Sequence, residues 1–341
     1  MITISVCMIV KNEEKKLAAC LDCLVPIADE IIIVDTGSVD KTKEIAKKYT
    51  DSIFDFEWID DFAAARNFAF SKANMDYIYT ADADELIDKE NIALFKRVKS
   101  AMLPQVEIVQ MYYLNLMEHN TAYNSKRELR PKLFKRLRSF EWIDPIHETI
   151  RLDPVIYNSD IEIKHMAEGH HAKRDLASFR KAYERGVLFS QKLHSMYAKE
   201  LFIAGDRDDL EAAVPFFEKS LSDESRTSDE QREARCVLAR AYRMNGRDTE
   251  FFRLCLREAV SMPCAEMCSE IGHFFYDKGE LFEAYCWLYD AVFETEAVIS
   301  VYIKGSENLS LLSECCKALG KDEEALRYEK AASVWQPPET V

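Results

Sequence analysis

The sequence predicts an α/β N-terminal domain on a mostly parallel sheet, followed by an all-α domain of helical repeats. Three observations carry that expectation. Short apolar, β-prone runs alternate with helical stretches over the first eighty residues, the pattern of strands joined by crossover helices. From about residue 175 helical periodicity continues almost without strands. Within that part breaks recur at "AGDRDD" (204), "MNGRDT" (244), "DKGEL" (277) and "ALGKDE" (318), each between two helical runs. The expected division is an α/β domain over 1–175, a helical linker over 176–196 and helical repeats over 197–336.

The elements follow in order. "TISVCMIV" (3–10) is a buried strand, and "EEKKLAACLDCLVPI" has helical spacing, with Leu17, Cys20, Leu21 and Leu24 on one face. "EIIIVD" (30–35) is a second strand, and "TGSVDKTKEIAKKY" turns into a helix with Ser38 or Asp40 as N-cap. "SIFDFEW" (52–58) is a third strand, "DDFAAARNFAFSKA" (60–73) a helix begun by Asp60 or Asp61, and "DYIYTA" (76–81) a fourth strand. In such sheets ligands gather at the carboxyl ends of the strands, where "KNEE", "DTGS" and "DADE" all fall. Between 105 and 170, "EIVQMYYLNLM", "RPKLFKRL", "FEWIDPIHETI" and "IEIKHM" are strand-like and are expected to extend one sheet edge or form a small flanking sheet.

Composition narrows the function. With 341 residues, 48% hydrophobic and 31% charged, the chain has the make-up of a soluble globular protein. A formal net charge of −15 argues against nucleic acid as a generic partner and against an anionic membrane surface. The start "MITISVCMIVKNEE" lacks the basic region and long apolar run of a signal peptide, and no window reaches transmembrane length. Ten scattered cysteines then fit reduced thiols in a cytoplasm. Cys20 and Cys23 form a lone C-x-x-C with no second pair at zinc-ribbon spacing.

The chemistry concentrates in "YIYTADADELID", where Asp82, Asp84, Glu85 and Asp88 follow a buried strand. Like charges this close repel, and hard carboxylates at a sheet mouth suit Mg2+ or Mn2+ bridging to phosphates. The alternative is a solvated loop feeding the N-terminus of the helix "KENIALFKRV". Asp35 ends the second strand, placed to accept from a base edge or ribose hydroxyl, or else to cap the next turn. Asn12 and Glu13 end the first strand, facing the same rim or capping a helix. Arg66, on the helix after the third strand, reaches towards a diphosphate or base, or pairs with Asp61 or Asp60.

The run from "ISVCMIVKNEE" through "DEIIIVDTGSVDKTKEIAKKY" and "WIDDFAAARNFAFSKA" to "DYIYTADADELI" resembles the nucleotide-binding half of family 2 glycosyltransferases of the GT-A, Rossmann-like fold, over residues 3 to about 88. The resemblance implies inverting transfer of a sugar from a nucleotide-diphosphate donor, a UDP-hexose or UDP-N-acetylhexosamine. It places Asn12, Glu13 and Asp35 near the nucleoside, Arg66 near the base or diphosphate, and Asp82 and Asp84 as the Asp-x-Asp pair facing sugar and metal (Mn2+ or Mg2+). "RPKLFKR" and "WIDPIHETI" look like segments of bacterial members that modify lipopolysaccharide cores or glycosylate peptides or flagellin. The absence of a Gln-x-x-Arg-Trp motif argues against a processive synthase. The helical tail resembles tetratricopeptide repeats, with Gly272, Phe275, Ala284, Leu288 and Ala291 in the best copy and Ser313, Cys316, Ala325 and Ala332 in a weaker one; an unrelated helical bundle is the alternative.

The expected reaction is a single in-line displacement, with Glu148 as general base and Asp144 as its competitor; Glu148 is otherwise a surface acid paired with Arg151. The histidines His147, His165, His170 and His171 offer a further metal ligand, with His165 taken as the choice. Lys126, Arg127 and Arg130 form either a phosphate clamp or a solvated basic face. The helical repeats are expected to dock a peptide, protein or glycan acceptor, or a second copy of the chain in a homo-oligomer, unless they only stabilise the fold. A nucleotidyltransferase or a dinucleotide dehydrogenase would need a glycine-rich loop after the first strand, which "MIVKNEE" lacks. A non-catalytic repeat scaffold with a degenerate transferase domain is the remaining alternative.

Overall fold

The computed structural model describes residues 1–115, 127–137, 142–143, 145–146, 149–150, 154–166, 172–261 and 263–337. The chain divides into two compact units, Met1–His170 and His171–Val341.

The first unit begins β1 (Ile4–Val10), α1 (Leu17–Leu24), β2 (Glu30–Asp35), α2 (Thr42–Ala46), β3 (Ile53–Asp55), α3 (Phe62–Ser71) and β4 (Tyr77–Ala81). It continues β5 (Glu85–Leu86), α4 (Lys89–Ala101), β6 (Ile108–Asn115), β7 (Arg127–Lys135), β8 (Trp142–Ile143), β9 (Thr149–Ile150) and β10 (Ile156–His165). The main sheet runs in the order β3-β2-β1-β4-β7-β6-β10-β5, and β8 and β9 form a separate antiparallel pair. β1 lies parallel to β2 and β4, β2 to β3, and β10 to β6. β7 runs antiparallel between β4 and β6, and β5 antiparallel on β10. The expected choice between an extended sheet edge and a flanking sheet is thus answered by both.

The apolar runs are continuous because both faces are covered. On one face Ile4, Val6, Met8 and Val10 of β1 pack with Leu17, Cys20, Leu21 and Leu24 of α1. On the other, Cys7, Ile32 and Val34 pack with Ala63, Ala69 and Phe70 of α3. Burying a side chain of leucine or isoleucine size contributes about 1.5–3 kcal/mol, so a one-residue slip of β1 would exchange the two faces and is strongly disfavoured. Asp61 starts α3 by accepting from the Ala64 N–H (2.9 Å). The strand ends are thereby fixed at one rim.

The second unit is α5 (Ala172–Glu184), α6 (Gln191–Ala204), α7 (Arg207–Ser222), α8 (Ser228–Met244), α9 (Asp248–Ser261), α10 (Ala265–Asp277), α11 (Leu281–Tyr289), α12 (Ser306–Ala318) and α13 (Asp322–Val334). Residues 176–196, expected as a linker, lie within this unit and bury Phe179, Phe189 and Leu193. α10 ends at Gly279, whose φ of 78° suits glycine. There the Gly279 N–H donates to Tyr276 O and the Glu280 N–H to Phe275 O, both at 2.9 Å. Arg247 to Tyr242 and Lys321 to Cys316 repeat the second bond after α8 and α12. The break at 204 is of another kind, because Gly205 is extended and a Cβ there would lie 2.6 Å from Leu201 O. Gly272 lets α10 and α11 close together: an added Cβ would meet Leu288 Cγ at 2.7 Å.

A buried acid ties α8 to α10. Glu270 accepts from Arg240 Nε (2.6 Å) and Arg243 Nε (2.7 Å). Burial alone would raise its pKa, but the two guanidinium groups outweigh it and hold the carboxyl at about 2. A depressed carboxyl stabilises fully above its unfolded value of about 4.3 and loses that contribution as pH falls through the folded value. Glu270→Gln leaves two arginines short of a counter-charge, a break that costs about 3–5 kcal/mol. Urea unfolding should show that loss at pH 7, and the gap from wild type should narrow as pH falls from about 4 towards 2.

Candidate active site

Two loops are locked together first. Asn12, after β1, adopts φ 57°, a conformation asparagine tolerates better than most residues. Its N–H donates to Ser38 Oγ (2.9 Å) and its Oδ1 accepts from the Val39 N–H (2.8 Å). Asp35, at the end of β2, is 1% exposed. Its Oδ2 accepts from the N–H groups of Gly37 and Ser38, both at 3.0 Å, and lies 3.5 Å from Lys43 Nζ. Burial would raise its pKa, but these hydrogen bonds and Lys43 outweigh burial and lower it. The turn-capping role weighed from sequence is therefore real, yet it uses one oxygen only: Oδ1 is buried without a hydrogen-bond partner. An ionised oxygen in that state is costly unless a ligand donor meets it.

Four acids after β4 find four different surroundings. Asp82 Oδ1 lies 3.2 Å from Arg66 Nη2, and Arg66 Nη1 donates to Thr80 Oγ1 at 2.5 Å. Arg66 thus reaches from α3 across to β4, where the sequence had offered Asp60 or Asp61 as local partners. Burial pushes the Asp82 carboxyl up, but Arg66, Lys132 and His165 outweigh it and bring it to about 2. Asp84 Oδ2 lies 3.3 Å from His165 Nε2, the two side chains 18% and 22% exposed. The β5–β10 pairing sets His165 opposite Glu85, and the Met166 N–H donates to Asp84 O (2.8 Å). Glu85 is buried and accepts from buried Lys132 Nζ with both oxygens, at 2.7 and 2.8 Å; burial raises its pKa against the pull of Lys132. Asp88 caps α4 through the Asn91 N–H (3.0 Å), so the helix-start reading holds for this acid.

Glu13 completes the cluster from the β1 side. Burial is the first cause of its raised pKa, and Asp84, Asp40 and Asp82 add to it against Lys16. At this rim Lys16 acts on Glu13, Arg66 pairs with Asp82, His165 with Asp84 and Lys132 with Glu85. Hard oxygens and one imidazole suit Mn2+ or Mg2+. Arg130 stacks at 4.0 Å over the Tyr113 ring, which packs at 5.0 Å on His165, and it pairs with Glu128. Arg127 stacks instead on Tyr112 (3.4 Å) and bonds Glu162 (3.1 Å). Cys20 of the C-x-x-C donates to Asp82 O (3.3 Å), and all ten cysteines are free thiols.

Lys126, Asp144, His147, Glu148, Arg151, His170 and His171 lie outside the described residues. Beside them in sequence, Pro145 O accepts from the Phe62 N–H (3.1 Å) at the start of α3, and Ile146 is buried. The sequence reading missed Lys132 and gave Glu85 no role of its own. The available signal was a lysine between Pro131 and Leu133, with Phe134 beyond, in one strand, which requires an acid partner when buried.

Residues 5–151 match the glycosyl transferase family 2 model. Over 150 residues the chain is 44% identical to a TPR repeat-containing protein of Synechococcus elongatus, covering 44% of this chain and 36% of that one. Over 247 residues it is 25% identical to the SPbeta prophage-derived glycosyltransferase SunS of Bacillus subtilis, covering 67% and 56%. The chain therefore spans between about a third and somewhat over half of these relatives. Glucosyl-3-phosphoglycerate synthase from Mycobacterium tuberculosis, solved with Mn2+, UDP and glucosyl-3-phosphoglycerate, aligns at 15% identity over 55% of this chain and 82% of that one, with a TM-score of 0.42. The acid cluster of Glu13, Asp82, Asp84 and Glu85 lies inside the span that matches the glycosyl transferase family 2 model.

Proposed function

We propose that this chain is an inverting, non-processive glycosyltransferase that moves a sugar from a nucleotide-diphosphate donor, a UDP-hexose or UDP-N-acetylhexosamine, to a peptide, protein or glycan acceptor by single displacement. The observation that carries the reading is the rim pair within the span that matches the family 2 model: Asp82 kept ionised by Arg66, and Asp84 set 3.3 Å from His165. A divalent cation, Mn2+ or Mg2+, held by Asp84 with Asp82 and His165, would supply neutralisation of the charge that develops on the departing diphosphate. Asp35 Oδ1, buried and without a donor, accepts an N–H of the nucleobase. Asn12 and Glu13 line the nucleoside side of the rim. Arg66 orients Asp82, and Arg130 takes a phosphate oxygen. Glu148 removes the acceptor proton, with Asp144 as its competitor. The helical unit docks the acceptor and gives a surface for a second copy. Ten free thiols support a reducing, cytoplasmic location.

Incubating the full chain with a panel of nucleotide sugars, with Mn2+ or with chelator, tests this. Metal-dependent donor cleavage is expected, falling about 10²–10³-fold in Asp84→Asn. Glu148→Gln should bind donor normally yet lose about 10²–10⁴-fold in transfer. A wild-type chain that leaves every donor intact would favour the scaffold reading.

Arg66→Met should move the Asp82 carboxyl upward from about 2 towards its ordinary value near 3.9, read by carboxyl-carbon NMR titration. By the same sign, wild-type Asp82 contributes fully to stability above about 3.9 and loses that contribution as pH falls towards 2. An unchanged titration would remove Arg66 from this role.

A further inference from the structure

We propose that Cys236, Cys264 and Glu266 form a buried binding site for a thiophilic divalent cation, zinc foremost, in the helical unit. Cys236 lies on α8 and Cys264 is the residue immediately before α10; both are buried, and their sulfurs stand 3.5 Å apart. Glu266, in the first turn of α10, is fully buried, and one ligand atom from each of the three residues lies within 4.8 Å of the others. Nothing in the proposed transfer reaction uses these groups.

The spacing suits a metal. Two Zn–S bonds of about 2.3 Å at a tetrahedral angle put the sulfurs about 3.8 Å apart, close to the separation observed, and a disulfide needs about 2.05 Å. Glu266 is already oriented. Its Oε1 accepts the N–H groups of Val298 (3.0 Å), Ile299 (2.6 Å) and Ser300 (2.9 Å), and Oε2 accepts only that of Val298 (2.9 Å). Oε2 keeps the larger share of free lone-pair capacity, with the backbone fixing its direction as supporting hydrogen bonds do around metal ligands. Two sulfurs and one oxygen favour zinc over magnesium or calcium. Three protein ligands leave a fourth position to water.

Charge closes as well. Binding displaces one proton from each thiol, so two thiolates and a carboxylate carry three negative charges. A divalent ion neutralises two. Arg232, one turn before Cys236, donates through Nη2 to Pro263 O (3.3 Å) beside Cys264 and supplies the third positive charge. The bound ion would join α8, the start of α10 and residues 298–300 into one staple.

The test uses the reduced, chelator-stripped full chain with Co2+ and then Zn2+. Cobalt should produce a thiolate-to-metal charge-transfer band at one equivalent, with release of two protons, and Zn2+ should displace it. The band should be lost in Cys236→Ala and Cys264→Ala, weakened at least tenfold in affinity in Glu266→Gln, and kept in Cys286→Ala and Asp84→Asn. The last variant separates this site from the rim acids. Absence of the band in folded wild type would overturn the proposal, whatever the variants do. So would equal cobalt binding by Cys236→Ala, or a chain that takes no metal and carries a Cys236–Cys264 disulfide by mass.

Discussion

Carboxylates crowded at one sheet edge repel each other, and the first unit is arranged around their compensation. The strand order serves this need. Placing antiparallel β7 beside β4 brings Lys132 beneath the acid turn, where it neutralises buried Glu85. α3 brings Arg66 to Asp82, and β10 brings His165 to Asp84. Breaking a buried pair by removing one partner is far more costly than losing an exposed one, so the Glu85–Lys132 contact fixes where the acid turn sits. The two outer acids, half-buried, are then held in place without being sealed off.

The alternation of β1 to β4 with their helices was legible because each strand is apolar along its length and each helix is amphipathic. The strand-end positions of Asn12, Asp35 and the Asp82–Asp84 pair followed from the same pattern. Partners were harder to read. Lys132 and Glu85 are 47 residues apart, and their meeting depends on β7 entering the sheet beside β4, which no local signal specifies. Arg66 had acids close by in sequence, yet the helix turns it towards a residue 16 positions on. Asp35 shows two readings satisfied at once, one oxygen for the turn and one unpartnered.

The helical unit teaches a similar lesson. Its breaks were visible as glycine-containing turns, and three of them share one backbone hydrogen bond after α8, α10 and α12. The irregular repeat length was also visible, though not its cause. A π-helical turn at Asp290–Glu294 and a 3-10 turn at Val301–Lys304 stand between α11 and α12 and lengthen that interval. Buried acids were invisible as such: Glu266 and Glu270 look like surface residues in "CAEMCSEIGHF", yet one holds the N–H groups of 298–300 and the other two arginines. Such groups fix which helix faces meet, since a misplaced partner would leave a charge buried alone.

The central claim is that the rim acids hold a divalent ion against the diphosphate of an activated sugar. Anomalous scattering from crystals of the full chain grown with Mn2+ and a nucleoside diphosphate tests it most directly. The account requires a manganese peak within coordination distance of Asp84 and the diphosphate together. A bound nucleotide with no peak at Asp84, its phosphates met only by arginine and lysine side chains, would contradict it.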